Sequence, residues 1–173
     1  NNGLLYSRGL WEGRIKMKRE ENFVKTNVMR LLEAAGIAYE TGTYEVDEED
    51  LSGSHAADLM GVDHDRMYKT LVLKGEKNGY LVCCIPVDEE LDLKKTARAA
   101  GEKKVEMDLL GITGYIRGGC SPIGMKKHFP TYIEEMAQIF DSIMVSAGQR
   151  GVQVTLSPQD LADYVEGRFV PLV

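Results

Sequence analysis

The chain has 173 residues, 43% hydrophobic and 28% charged, a mixture suited to one hydrophobic core and unlike disordered, collagen-like or coiled-coil chains. No run approaches the ~18 apolar residues of a spanning helix and no signal-like segment follows the N-terminus, so a cytoplasmic protein without membrane contact is expected. A formal net charge of −6 argues against broad, sequence-independent wrapping of nucleic acid.

Residues 1–16 carry no clear period, and Met17 opens the run that leads into a helical pattern. Residues 1–23 are therefore read as an N-terminal extension or upstream-translated segment, with Met17 a possible natural start, and residues 24–173 as the domain proper. From Phe23 to Ala35 the apolar positions Val24, Val28, Leu31, Leu32 and Ala35 have helical spacing, and Gly36 supplies the left-handed stop. Ile37 to Val46 alternates as a strand. A stretch from Tyr39 to Asp63 then holds eight acidic residues and no Lys or Arg. Within it, Ser54 is expected to cap a short helix ending at Met60.

Met67–Leu73 and Tyr80–Val87 read as an antiparallel pair joined through Asn78 and Gly79. Asp92 caps a helix from Leu93 to Ala100, and Asp108 begins a short turn ending at Gly111. Residues 132–137, 142–146 and 152–156 read as strands, and Ser157-Pro158 starts a last helix running to Val165. Helices and strands mix without a βαβ rhythm. The fold class expected is α+β, a single domain with a curved, barrel-like mixed sheet flanked by helices.

Chemistry concentrates in two places. The segment from Gly114 to Gly124 has four glycines in eleven residues and matches no nucleotide phosphate-loop pattern. Its exposed amides could bind an anion or polarise a carbonyl, or the segment could simply be a tight bend. Lys69 lies in a strand and shares a face with Leu71 and Leu73, while Tyr68, Thr70 and Val72 take the other. A lysine on an apolar face can hold a substrate phosphate, and an edge lysine that blunts aggregation is the alternative.

From Lys94 to His128 eight basic residues face three acidic ones, a local net of +5 that suits a confined anion such as an RNA end. His55, His64 and His128 lack metal-ligand spacing, so no metal is expected. Cys83, Cys84 and Cys120 read as reduced thiols, and Cys120 would serve as a thiol nucleophile only with a positioned base that spacing does not identify.

Together these motifs resemble the YbaK/EbsC family, freestanding relatives of the editing domain of prolyl-tRNA synthetase. The resemblance covers about residues 24–170 and rests on Thr43-Tyr44, Tyr68-Lys69-Thr70-Leu71, Leu91 to Lys95, Lys103 to Met107, Gly114-Tyr115 through Gly118-Gly119-x-Ser121-Pro122-x-Gly124, and Val145 to Gly151. It implies deacylation of mischarged tRNA, typically cysteinyl-tRNA(Pro) and also cysteinyl-tRNA(Cys), without metal or organic cofactor. Lys69 and Gly118 are implied as the catalytic pair, with Tyr44, Thr70, Gly119, Ser121, Pro122 and Ser146 as substrate-binding residues. The partner implied is the 3′ acceptor end of a mischarged tRNA, with prolyl-tRNA synthetase a candidate third component. Gln153 stands where the family often has an aspartate, which leaves open another small amino acid such as alanine. A non-catalytic module that binds aminoacyl-tRNA or a synthetase is the other alternative.

Overall fold

Side-chain oxygens start every helix among the described residues, which in the computed structural model are Leu4–Tyr6, 25–108 and 119–173. Thr26 caps α1 (Asn27–Ala34) by accepting from Met29 N, and Ser52 caps α2 (Gly53–Met60) by accepting from His55 N. Asp92 accepts from Lys94 N and Lys95 N at α3 (Leu93–Ala100), and Ser157 accepts from Asp160 N at α4 (Pro158–Val165). Each cap contributes ~1 kcal/mol. The start of α2 corrects the expectation of Ser54: the helix begins one residue after Ser52, and Ser54 hydrogen-bonds to Asp88 instead. Phe23 and Val24, the presumed extension 1–23 beyond Leu4–Tyr6, and most of the expected turn from Asp108 to Gly111 lie outside the described residues.

In chain order the strands are β1 (Leu4–Tyr6), β2 (Glu40–Thr43), β3 (Tyr68–Gly75), β4 (Gly79–Pro86), β5 (Val105–Met107), β6 (Thr131–Glu134), β7 (Ile143–Gln149), β8 (Val152–Leu156) and β9 (Arg168–Val170). The β3–β4 hairpin is as expected, with Gly79 at φ 82° in its turn. β2 is shorter than the expected Ile37–Val46, and β7 continues three residues past Ser146. The strand expected over residues 132–137 ends at Glu134. Its carboxylate accepts from Met136 N and tightens Glu135–Ile139 into a 3-10 turn.

An α+β architecture forms, but not the expected single barrel-like sheet. Antiparallel strands β1-β2-β8-β7 make one open sheet, and β5-β3-β4-β6-β9 make a mixed one in which β6 and β9 add in parallel. Pairing explains the division. β5 covers only the far end of β3, from Leu73 to Gly75, and leaves its first half without a strand on that side. β7 approaches there and touches through one parallel bridge, Met67 to Met144, before a bulge after Ser146 carries it away.

The inner faces of both sheets share one core. Tyr68, Cys84 and Ile133 meet Val145, Ala147 and Val154 there, closed by Met29 and Leu32 of α1 and Leu161 of α4. The outer face of the mixed sheet is covered twice: α2 lays Ala56, Ala57 and Met60 on Met67, Met144 and Val87, and α3 lays Ala97 on Leu73, Ile85 and Val105.

Glu134 ties the end of the chain to this frame. Its buried carboxylate accepts from Met136 N at 3.0 Å, Leu172 N at 2.8 Å and Val173 N at 3.2 Å. Removing it would orphan buried donors that each cost ~1–3 kcal/mol unpaired. Glu134→Ala is expected to lower stability by about 3 kcal/mol in a urea titration; a change below about 1 kcal/mol would mean that these bonds are dispensable.

Candidate active site at the junction of the two sheets

Strand alternation from the Met67–Met144 bridge decides what shares a face. Lys69 and Ser146 each lie two residues beyond the bridge on parallel strands, so both side chains take the outer face with the two methionines. Register carries the row on: Ser146 is opposite Gln153, and Gln153 is opposite Gly42. Lys69, Ser146, Gln153 and Gly42 thus form one line across four strands. Gly42 has no side chain to fill the space beside Gln153, and Tyr44, two residues on, packs with the cluster under α2.

Lys69 occupies the gap between two covers. On its strand Met67 lies under α2 and Leu73 under α3, and Lys69 between them is half-buried. Among the described residues its ammonium has no hydrogen bond or ion pair. Ser146 is buried, and its Oγ accepts from Gly148 N at 3.1 Å, which leaves the hydroxyl proton to donate elsewhere. Gln153 is 6% exposed, and its Oε1 has no hydrogen-bond partner. An unmet buried acceptor costs ~1–3 kcal/mol, a cost a polar ligand can offset.

The glycine-rich loop comes to the same hairpin. A Cβ on Gly119 would lie 3.2 Å from both Gln149 Cα and Arg150 N, so the loop backbone rests directly on the β7–β8 turn. On the other side of that turn Tyr44 N donates to Gly151 O at 3.0 Å. Ser121 and Pro122 are buried, and Ser121 Oγ accepts from Ile123 N. Thr70 faces the interior side, with Oγ1 3.9 Å from Cys84 Sγ. The fold therefore gathers Lys69, Ser146, Tyr44 and Gly119 around one junction, while Thr70 and Ser121 sit on its inner side. Gly118, with Gly114 to Arg117, lies outside the described residues.

A charged group missed in the sequence borders the site. Asp88 is the second residue after β4, and the hairpin register, which pairs Pro86 with Tyr68, brings it beside the start of β3. It accepts from Ser54 Oγ and lies 2.9 Å from His64 Nδ1, while His64 Nε2 lies 2.7 Å from Asp58. These two hydrogen bonds, Ser54's first, hold the Asp88 carboxyl below its ordinary range, and the nearby positive charge of Lys69 adds to the effect. The bonds to Asp88 and then Asp58 raise His64. Extending the predicted hairpin by one residue would have found Asp88.

The other candidates are occupied. His55 lies 2.9 Å from Asp47, and His128 3.4 Å from Glu166. Cys83 and Cys84 point to opposite cores, and burial pushes Cys84 up to about 12. A cavity of about 260 Å³ lies on the outer face beyond Met144, but Arg66 fills its polar role by donating to Ser142 O and Oγ. No helix among the described residues is long and apolar enough to cross a membrane.

Comparison with known proteins identifies the family of the chain. The model of the aminoacyl-tRNA editing domain matches residues 49–164. EbsC of Enterococcus faecalis, named as a proposed Cys-tRNA(Pro)/Cys-tRNA(Cys) deacylase, is 46% identical over 160 residues, covering 90% of this chain and 98% of its own. YwhH of Bacillus subtilis, an uncharacterized protein, is 24% identical over 128 residues, covering 72% of this chain and 82% of its own. A solved structure of a proposed trans-editing enzyme for prolyl-tRNA synthetase superposes with a TM-score of 0.70 at 22% identity, covering 84% of this chain and 93% of that one. Another, of a hypothetical protein, gives 0.73 at 20% identity, with 83% and 97% covered. The chain belongs to the aminoacyl-tRNA editing domain family, within its YbaK/EbsC group.

The Asp58–His64–Asp88 chain has a pH signature. Because His64 is raised, its contribution to stability is complete below the ordinary value of 6.5 and is lost as pH rises through the raised folded value. Asp88 is depressed, so its share is present above 3.8 and is lost as pH falls through its folded value. The difference in thermal midpoint between the wild type and His64→Gln should be largest between pH 3.8 and 6.5 and shrink in more alkaline buffer. A difference independent of pH would contradict the pairing.

Proposed function

We propose that this protein is a trans-acting aminoacyl-tRNA deacylase whose principal substrate is cysteinyl-tRNA(Pro), with cysteinyl-tRNA(Cys) a second. The observation that carries the reading is the half-buried Lys69, unpaired among the described residues and aligned with Ser146 on the face beside the Gly119 loop. An aminoacyl ester is already reactive, so positioning and charge stabilisation suffice without a protein nucleophile. Lys69 holds a phosphate of the tRNA 3′ end as a point charge. The amides of Gly118 and Gly119 orient the ester carbonyl and stabilise the oxyanion that develops on it.

Ser146 and Gln153 line the space for the amino acid. The Ser146 hydroxyl can donate, and the free Gln153 oxygen can accept from the substrate's ammonium or thiol. With cysteine, the substrate's own sulfur attacks the carbonyl. The S–C bond forms, the C–O bond to the ribose breaks, and the thiol proton passes to the departing ribose oxygen. Attack of water on the same ester carbonyl, which releases the free amino acid and the ribose hydroxyl, is the other route, and the identity of the released product separates the two.

A neutral Gln153 at this position favours one variant of the reading, a deacylase for another small amino acid such as alanine. The reading needs no metal or organic cofactor, and places the protein in the cytoplasm where a synthetase can join it on the tRNA.

A panel of mischarged tRNAs scored for amino acid release tests the proposal. Cysteinyl-tRNA(Pro) should be cleared far faster than its seryl counterpart, and Lys69→Ala should slow clearance ~100-fold or more with the thermal midpoint unchanged. Near-normal turnover by Lys69→Ala would remove the lysine from the mechanism. Faster release of alanine than of cysteine would decide for the variant reading.

A further inference from the structure

Four cations line a groove of about 640 Å³ between α3 and the segment leading into β5: Lys94, Arg98, Lys103 and Lys104. All four are exposed, and among the described residues none has a carboxylate partner. That is unusual in a chain with 27 acidic residues against 21 basic ones, where solvated faces ordinarily intersperse the two signs. Glu102 also lines the groove and Glu76 and Glu106 lie beside Lys104, yet among the described residues none of them pairs with the four cations. Glu102 is 8% exposed and turns inward, accepting from Lys77 N at 2.8 Å and Asn78 N at 2.7 Å to hold the β3–β4 turn. Glu106 takes the opposite face of β5 from the buried Val105.

The groove also shares a face with the candidate site. Lys69, Leu71 and Leu73 alternate onto the side of β3 that α3 covers, so Lys69 and the groove lie toward opposite ends of one strand on one face. From Lys69 to Gly75, which pairs with Val105 at the groove, the strand runs roughly 20 Å at ~3.3 Å per residue. A stacked nucleic-acid strand advances ~3.4 Å per nucleotide, so a chain ending at Lys69 passes the groove about six nucleotides earlier. In a tRNA that point lies past the unpaired 3′ tail, in the first base pairs of the acceptor stem.

Within the groove Lys94 and Arg98 are i and i+4 on α3, neighbours about 5–6 Å apart at their Cβ atoms. They form a short cationic row that can meet neighbouring phosphates.

We infer that this groove docks the phosphate backbone of the acceptor stem while the 3′ end reaches Lys69. The inference rests on the tRNA-deacylase reading for its ligand. Affinity should come from phosphate contacts, so it should be insensitive to stem sequence and steeply dependent on salt.

Binding of uncharged tRNA(Pro), followed by fluorescence anisotropy from 50 to 200 mM salt (roughly the range over which such contacts weaken), tests the docking apart from catalysis. Each lost phosphate contact should reduce the slope of log affinity against log salt by about 1, so the reduction is about 1 for Arg98→Glu and about 2 for Lys94→Glu/Arg98→Glu. Arg30→Glu, an exposed change of equal charge on α1, should leave the slope as in the wild type.

The inference is overturned if Arg98→Glu binds like the wild type, or if Arg30→Glu loses as much. Deacylation of a short aminoacyl-dinucleotide ester should be the same in Arg98→Glu and the wild type. Equal loss on the short ester and on full-length tRNA would place Arg98 in the fold or the site rather than in docking. Should the wild type leave full-length cysteinyl-tRNA(Pro) and the other members of the mischarged panel intact while the binding pattern holds, the deacylase reading fails and the docking surface stands.

Discussion

One backbone bridge, Met67 to Met144, sets the position of everything at the candidate site. Without it the two sheets would be separate layers, and Lys69 on one would have no fixed relation to Ser146 on the other. Because the bridge is parallel and the side-chain period is two, it brings both to one face with the two methionines. The same bridge explains why the site is open. β5 pairs too late on β3 and β7 leaves too early, so the strand segment that carries Lys69, paired with β4 on one side, has no full strand neighbour on the other. A bulge follows Ser146 in the β7–β8 hairpin, and the Gly119 loop rests on its turn so closely that a Cβ on Gly119 would crowd Gln149 and Arg150 at 3.2 Å.

Polar groups away from the site are mostly paired: Glu134 accepts three backbone amides and Glu102 two. Arg66 is likewise spent on Ser142. Along the row over the junction, among the described residues, Lys69 has no partner and Gln153 Oε1 none, while Tyr68 Oη and Thr155 Oγ1 are also unmet elsewhere. What distinguishes the row is therefore the alignment of a half-buried ammonium with an unmet amide oxygen on one face.

Much of this was legible in the sequence where the signal is local. Asp92 with Gly101, and Ser157 with Pro158, gave the bounds of α3 and α4 because caps act within one turn. Lys69 facing Leu71 and Leu73 followed from strand alternation alone. The closed sheet did not form because closure depends on the number of residues paired between β3 and β7, a non-local property that strand patterns do not carry. Asp88 and His64 were missed for a related reason. His64 looked like an isolated histidine, and its two carboxylates come from α2 and from the end of β4. The family resemblance supplied the expected site residues, and residue patterns alone left Lys69 and the glycine loop open between structural and functional roles.

The central claim, that the bridge makes Lys69 and Ser146 parts of one site, is tested most directly by a double-mutant cycle. Lys69→Ala, Ser146→Ala and the double variant would be compared for kcat/KM on cysteinyl-tRNA(Pro). A shared site gives strongly non-additive losses, with a coupling of about 1 kcal/mol or more, and independent positions give losses that add within about 0.5 kcal/mol. Additive losses would contradict the account.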